Sequence, residues 1–135
     1  MSKYLIPYFA TLVVFCAIDF IWLGVVAPGF YKSQIGPLLL EKPNLAAAAV
    51  FYLLYAAGIV LFVVEPALRD DNWVSAAVMG ALLGLLAYAT YDLSNLATLK
   101  GWTVTLAIAD IVWGMIVTGV SSTAAYFVAR HFLKA

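Results

Sequence analysis

Residues 4–27 read YLIPYFATLVVFCAIDFIWLGVVA, a run in which Asp19 alone carries a charge. A bilayer core is crossed by about 20 apolar residues in helical form, and this run supplies them. Three similar runs follow, at about 45–64, 74–95 and 103–129, the last interrupted only by Asp110. Start and stop signals separate them. Pro28-Gly29 follows the first, Pro43-Asn44 precedes the second and Glu65-Pro66 follows it. Strands of a membrane barrel would alternate apolar and polar residues over about 10 positions, and these runs do not alternate. The chain is therefore expected to be all-α, a transmembrane four-helix bundle forming a single domain over 1–135, with spans at about 4–27, 45–64, 74–95 and 103–129. Loops should be short, with one interfacial segment between the first two spans. The five prolines, Pro7, Pro28, Pro37, Pro43 and Pro66, are expected near helix ends or in loops, because proline inside a helix costs about 3 kcal/mol.

Composition points the same way. Of 135 residues, 66% are hydrophobic and 10% charged, too few polar residues to coat a soluble domain. Seven basic residues balance seven acidic ones, so there is no basic excess for binding nucleic acid. The N-terminal Met1-Ser2-Lys3 followed by apolar residues imitates a signal peptide. The run is too long for one, carries Asp19 and lacks a clear small-residue cleavage site, so it is read as the first span. Cys16 is the single cysteine, which excludes an internal disulfide and a CxxC motif, and it reads as an apolar packing residue. His131 is the only histidine. Neither a zinc nor a haem ligand set can be assembled, and no Ser-His-Asp or Cys-His set exists. A carboxylate site for Mg²⁺ or Ca²⁺ is chemically open, but no Asp-rich spacing supports it. No cofactor and no metal is assigned.

Four spans put both termini on one side, here side A, with Lys3, Arg69, Arg130 and Lys134, against Lys32, Lys42 and Lys100 on side B. The positive-inside rule places the richer side in the cytoplasm, by a margin narrow enough to leave dual topology open. Tyr4, Tyr8, Trp73 and Tyr126 would lie at the A interface, and Phe30, Tyr31 and Trp102 at the B interface. The connection from Pro28 to Pro43 holds Pro37-Leu38-Leu39-Leu40 and is too apolar for a free loop. It is expected to lie against or dip into the membrane and to cover the side-B half of the bundle. Gly80 and Gly84 form a GxxxG surface for close helix packing, and Gly114, Thr118, Ser121 and Ala125 a matching small-residue stripe. Tyr52, Tyr55, Ile59 and Phe62 read as a core-facing or lipid-facing aromatic face on the second span.

The chemistry-bearing residues are Asp19, Asp92 and Asp110. An aspartate at the centre of a membrane helix costs about 3 kcal/mol, so each demands compensation. Asp19 lies roughly 12 Å from the side-B end of the first span and Asp110 roughly 10 Å from that of the fourth, at 1.5 Å per residue, while Asp92 is near the side-B end of the third. All three fall in one half of the membrane and are expected to converge, with two carboxyl groups within a water-bridged contact. Tyr88, Asp92 and Asn95 share a helix face, with Lys100 toward the surface. Asp19-Phe20-Ile21-Trp22 and Asp110-Ile111-Val112-Trp113 repeat an Asp-x-x-Trp pattern on antiparallel helices, placing each indole donor one turn from its own acid. The three aspartates are thus candidate catalytic residues. Trp22, Tyr88, Asn95, Trp113 and Lys100 are candidate ligand-binding residues. The rival view is that buried acids only bind helices together.

The segment from Ala89 to Trp102, with Tyr91-Asp92-Leu93-Ser94-Asn95-Leu96-Ala97-Thr98-Leu99-Lys100-Gly101-Trp102 at its heart, resembles the signature of an uncharacterised bacterial family of four-span inner-membrane proteins, a domain of unknown function. Asp19 to Val26, Phe30-Tyr31 and Asp110 to Gly114 are similar to it as well. The resemblance covers nearly the whole chain. It implies a four-span fold in a bacterial inner membrane and points toward lipid as a substrate class, without implying an activity. The expected function is a membrane protein whose acidic pocket binds or processes a lipid or small amphiphile. Two alternatives stand beside it. One is a small proton-coupled transporter, with an antiparallel homodimer as one form it can take. The other is an accessory subunit of a larger membrane complex.

Overall fold

The computed structural model describes residues 2–39 and 44–134. Leu40, at the tip of the apolar connection, lies outside the described residues, as do Lys42 and Pro43. Among the described residues, six α-helices make up four long rods. Helix α1 (Ser2–Ile21) passes through a five-residue π-turn into α2 (Ala27–Ile35), followed by a 3₁₀ turn at Gly36–Leu38. Helix α3 (Leu45–Ile59) passes through a second π-turn into α4 (Glu65–Arg69). Helices α5 (Trp73–Thr98) and α6 (Val104–Lys134) are continuous. Four stretches, Lys3–Val26, Leu45–Arg69, Trp73–Thr98 and Val104–Leu133, are long and apolar enough to cross a membrane.

Two expected stops are not stops. The first rod runs past Pro28-Gly29 to Ile35, and the second past Glu65-Pro66 to Arg69; Pro7 also lies inside α1. The reason is local and the same in both rods. Each π-turn, Trp22–Val26 and Val60–Val64, ends two residues before a proline, in Val25-Val26-Ala27-Pro28 and Val63-Val64-Glu65-Pro66. Proline has no N–H to give and its ring crowds the carbonyl four residues back. The wider turn bonds across five residues, the Glu65 N–H reaching the Val60 carbonyl. Each proline then falls in the first turn of the next helix, where no donor is needed. Among the described residues, the apolar connection is mostly helix, in α2 and the 3₁₀ turn after it.

Polar contacts at the ends fix the antiparallel order. Lys3 pairs with Glu65 at 3.0 Å, and Arg130 with Asp71 at 2.8 Å, bringing both termini and the α4–α5 turn to side A. At side B, Thr103 donates to Gln34, and Gly101, at φ +85, makes the tight turn between α5 and α6. Asn44 and Asn72 cap α3 and α5 through their side chains.

The core lies where Phe15, Ile59, Val64, Val117 and Ala125 meet. Helices α5 and α6 form the most extensive contact. A Cβ placed on Gly84 would fall 2.2 Å from the Gly114 carbonyl oxygen, and one on Gly80 2.7 Å from the Ser122 Oγ. The GxxxG surface thus meets Gly114, Gly119 and Ser122 of α6 in one close approach; of the expected stripe Gly114 lies in it, while Thr118 bonds Tyr55 of α3.

Candidate functional site

Toward side B the rods part around a cavity of about 530 Å³, within the ordinary range for small-molecule sites. Asp19, Trp22 and Leu23 line it from the first rod, followed by Tyr31, Ile35 and Leu39. Phe51 and Tyr52 come from α3, Ala87, Tyr88, Tyr91 and Asp92 from α5, Trp102 from the turn, and Leu106, Asp110 and Trp113 from α6. From the segment expected to cover this half, Tyr31, Ile35 and Leu39 line the cavity; Ile35 is buried, while Leu38 and Leu39 are about half exposed.

The three aspartates lie around this one cavity and are all buried, at 7% exposure for Asp19 and Asp110 and 0% for Asp92. Asp19 accepts hydrogen bonds from the Tyr52 hydroxyl at 2.5 Å and the Trp113 indole at 3.0 Å. Asp110 accepts from the Tyr31 hydroxyl at 2.6 Å, whose oxygen accepts from the Trp22 indole at 3.1 Å. Burial and the adjacent Asp110 carboxyl push the Tyr31 phenol well above its ordinary range, so it stays a donor. The repeated Asp-x-x-Trp pattern works by exchange. The rings of Trp22 and Trp113 stack with centroids 4.6 Å apart and planes 11° from parallel. Each N–H then serves the acid of the opposite helix, Trp113 directly and Trp22 through Tyr31. An indole serving its own acid, as the spacing suggested, would have to leave the stack.

Asp92 differs. It faces the Asp110 carboxyl closely enough for one proton to be shared between them, and beyond that contact neither of its oxygens has a hydrogen-bond partner. The Trp102 indole N–H, on the same cavity, is also buried and unpaired. An unsatisfied buried polar group costs about 1–3 kcal/mol, and more when charged. Among the described residues, no group of three or more His, Cys, Asp or Glu side chains is placed to hold a metal ion.

Of the other candidates, Trp22, Tyr88 and Trp113 line the cavity, and Asn95 and Lys100 do not. Asn95 lies nearly a turn beyond Asp92 and is part-buried, and Lys100 is exposed beyond the end of α5. Tyr88 owes its place to Gly114, where a Cβ would meet its ring at 2.2 Å. Sequence reasoning missed Tyr31, Tyr52 and Trp102 as site residues, treating them as interface or packing aromatics. Depth was the usable signal. Tyr52 lies seven residues into α3 from side B, at the level of Asp19. The aromatic face of that rod also divides. Tyr52 and Tyr55 make polar bonds, the latter with Thr118 at 2.8 Å, and Ile59 is core, but the π-turn swings Phe62 outward to 69% exposure.

The cavity has a lateral side. Helix α3 packs closely on α1 but not on α5, whereas the π-turn below it meets α1, α5 and α6. Tyr55 and Tyr88 bridge the rods with centroids 6.3 Å apart. Beyond that bridge the cavity residues Phe51 and Tyr91 are both about half exposed, on facing lips of α3 and α5.

Four apolar rods around a buried polar cluster define an integral membrane protein whose spans contact the lipid bilayer. Residues 4–127 match the family described as "Predicted membrane protein (DUF2177)", and the chain belongs to that family. No curated protein and no solved structure matches it.

Proposed function

We propose that the side-B cavity binds a lipid or small amphiphile entering from the bilayer between α3 and α5. The carrying observation is Asp92, which is fully buried on a largely aromatic wall with no partner for its oxygens beyond the neighbouring Asp110 carboxyl. A residue serving only to join helices would be bonded to one, as Asp19 is bonded to Tyr52 and Trp113. The half-exposed lips let an acyl chain remain among lipid tails while its polar end reaches the acids. In an enzymatic form, the neighbouring Asp92 and Asp110 would pass a proton to or from the ligand, with the Trp22–Trp113 stack fixing its position. The protein should sit in a bacterial inner membrane as a single domain with both termini cytoplasmic, which reporter fusions at the C-terminus would check. Extraction into lipid nanodiscs followed by native mass spectrometry tests the binding. A retained amphiphile, reduced in Asp92→Asn, is expected; ligand-free protein would overturn the reading.

One observation favours a proton-coupled transporter as the second reading. Thr118, Ser121 and Ser122 are fully buried along α6 between the cavity and side A, and Glu65 is nearly so, with the Glu65 Oε2 and the Ser121 Oγ unpaired. Those groups could carry protons toward the other face. Proton flux coupled to a solute in proteoliposomes, abolished by Glu65→Gln, would favour transport over binding alone. An accessory role in a larger complex would put the acids at an outer edge, and their burial speaks against it. A homodimer remains compatible with the cavity reading, because each protomer carries a whole cavity.

A further inference from the structure

We propose that the polar end of the bound amphiphile is an organic cation, an amine or alkylammonium group, with Asp92 as its counter-ion. This rests on the cavity being an amphiphile site and adds the charge of what it takes. Among the described residues, three carboxyl groups line the cavity and no lysine, arginine or histidine does. Asp19 and Asp110 already accept from tyrosine and tryptophan donors. Asp92 offers two buried oxygens with no partner beyond the Asp110 carboxyl. An anionic head would meet three acids and only neutral donors, such as the Trp102 indole and the Tyr88 hydroxyl. A neutral hydroxyl gives one hydrogen bond and leaves the paired acids uncompensated. An ammonium brings up to three donors and a charge that offsets the repulsion between neighbouring carboxylates.

The walls suit the same ligand. Tyr91 and Trp102 stand at 85° with centroids 5.6 Å apart, forming a corner of two aromatic surfaces on the cavity that holds Asp92. Aromatic faces attract cations, most strongly where water is excluded, and such cages are the usual receptors for alkylated ammonium groups. The proton is the other cation that could occupy the acid pair, and a binding comparison separates the two.

The experiment uses the full chain in zwitterionic lipid nanodiscs at neutral pH, with empty nanodiscs as the partition control. Dodecylamine, dodecanol and dodecyl sulfate share one tail and differ in the charge of the head. Saturable quenching of tryptophan fluorescence reads binding, since Trp22, Trp102 and Trp113 line the cavity. Dodecylamine should bind at least about tenfold more tightly than dodecanol, and Asp92→Asn should erase that preference. Equal binding of amine and alcohol, or a preference for the sulfate, overturns the cation while the amphiphile site stands. Absence of saturable binding by all three overturns both. The ranking on the unmodified protein decides the question even if Asp92→Asn fails to fold.

Discussion

Below the Tyr55–Tyr88 bridge, toward side A, α5 and α6 approach until Gly84 has no room for a methyl group against the Gly114 carbonyl. The hydroxyls there mostly bond to their own helix, Ser122 to the Thr118 carbonyl and Thr123 to that of Gly119. Above the bridge, toward side B, the polar groups are carboxyls, phenols and indoles, and they bond from helix to helix across a cavity. One half joins the rods by removing side-chain volume. The other spaces them with large aromatic residues and holds acids between. Close backbone contact in the lower half can therefore carry the stability that lets the upper half stay open, where two polar residues are left short of partners.

The largest effect should come from the lower half. Gly84→Ala forces a methyl into backbone and should cost about 3 kcal/mol or more, seen as loss of folded protein after detergent extraction. Gly58→Ala, where a Cβ meets nothing within 4 Å, should stay within about 0.5 kcal/mol of the parent. If both behave alike, the close approach is not what holds α5 and α6 together. In the upper half, Asp19→Ala orphans two donors, Tyr52 and Trp113, and should lower stability by about 3 kcal/mol. Tyr52→Phe removes only one of them, and a loss of about 1.5–3 kcal/mol is expected from thermal unfolding. An unchanged melting temperature for Tyr52→Phe would show that Asp19 does not depend on it.

Much of this contrast was legible in the sequence. Length and hydropathy determine spans, since a bilayer accepts few alternatives. Spacing along α5 and α6 identified the glycine surface. Depth counting brought Asp19, Asp92 and Asp110 to one level, because rise per residue is nearly fixed in a helix. What spacing could not supply was rotation and pairing between rods. The Asp-x-x-Trp repeats showed where the indoles would be, but not that stacking would trade their partners. The two π-turns were hidden because Pro28 and Pro66 read as stops unless the preceding turn is known to widen. Asn95 was assigned from the helix face that spacing gives it with Tyr88 and Asp92, and Lys100 from its place just beyond them; both fall outside the cavity, Lys100 past the end of α5 at Thr98.

The smallest expected change in stability is also the most informative. Beyond the facing Asp110 carboxyl, Asp92 has no hydrogen-bond partner to lose, and an amide can keep that one contact, so Asp92→Asn should not weaken the empty protein, whereas Asp19 is tied to two neighbouring helices. The deciding measurement is the thermal unfolding of ligand-free Asp92→Asn beside Asp19→Asn in one detergent. The binding account predicts that Asp92→Asn melts at or above the parent temperature and Asp19→Asn below it. A drop for Asp92→Asn as large as that for Asp19→Asn would contradict the account and make Asp92 a structural joint between helices.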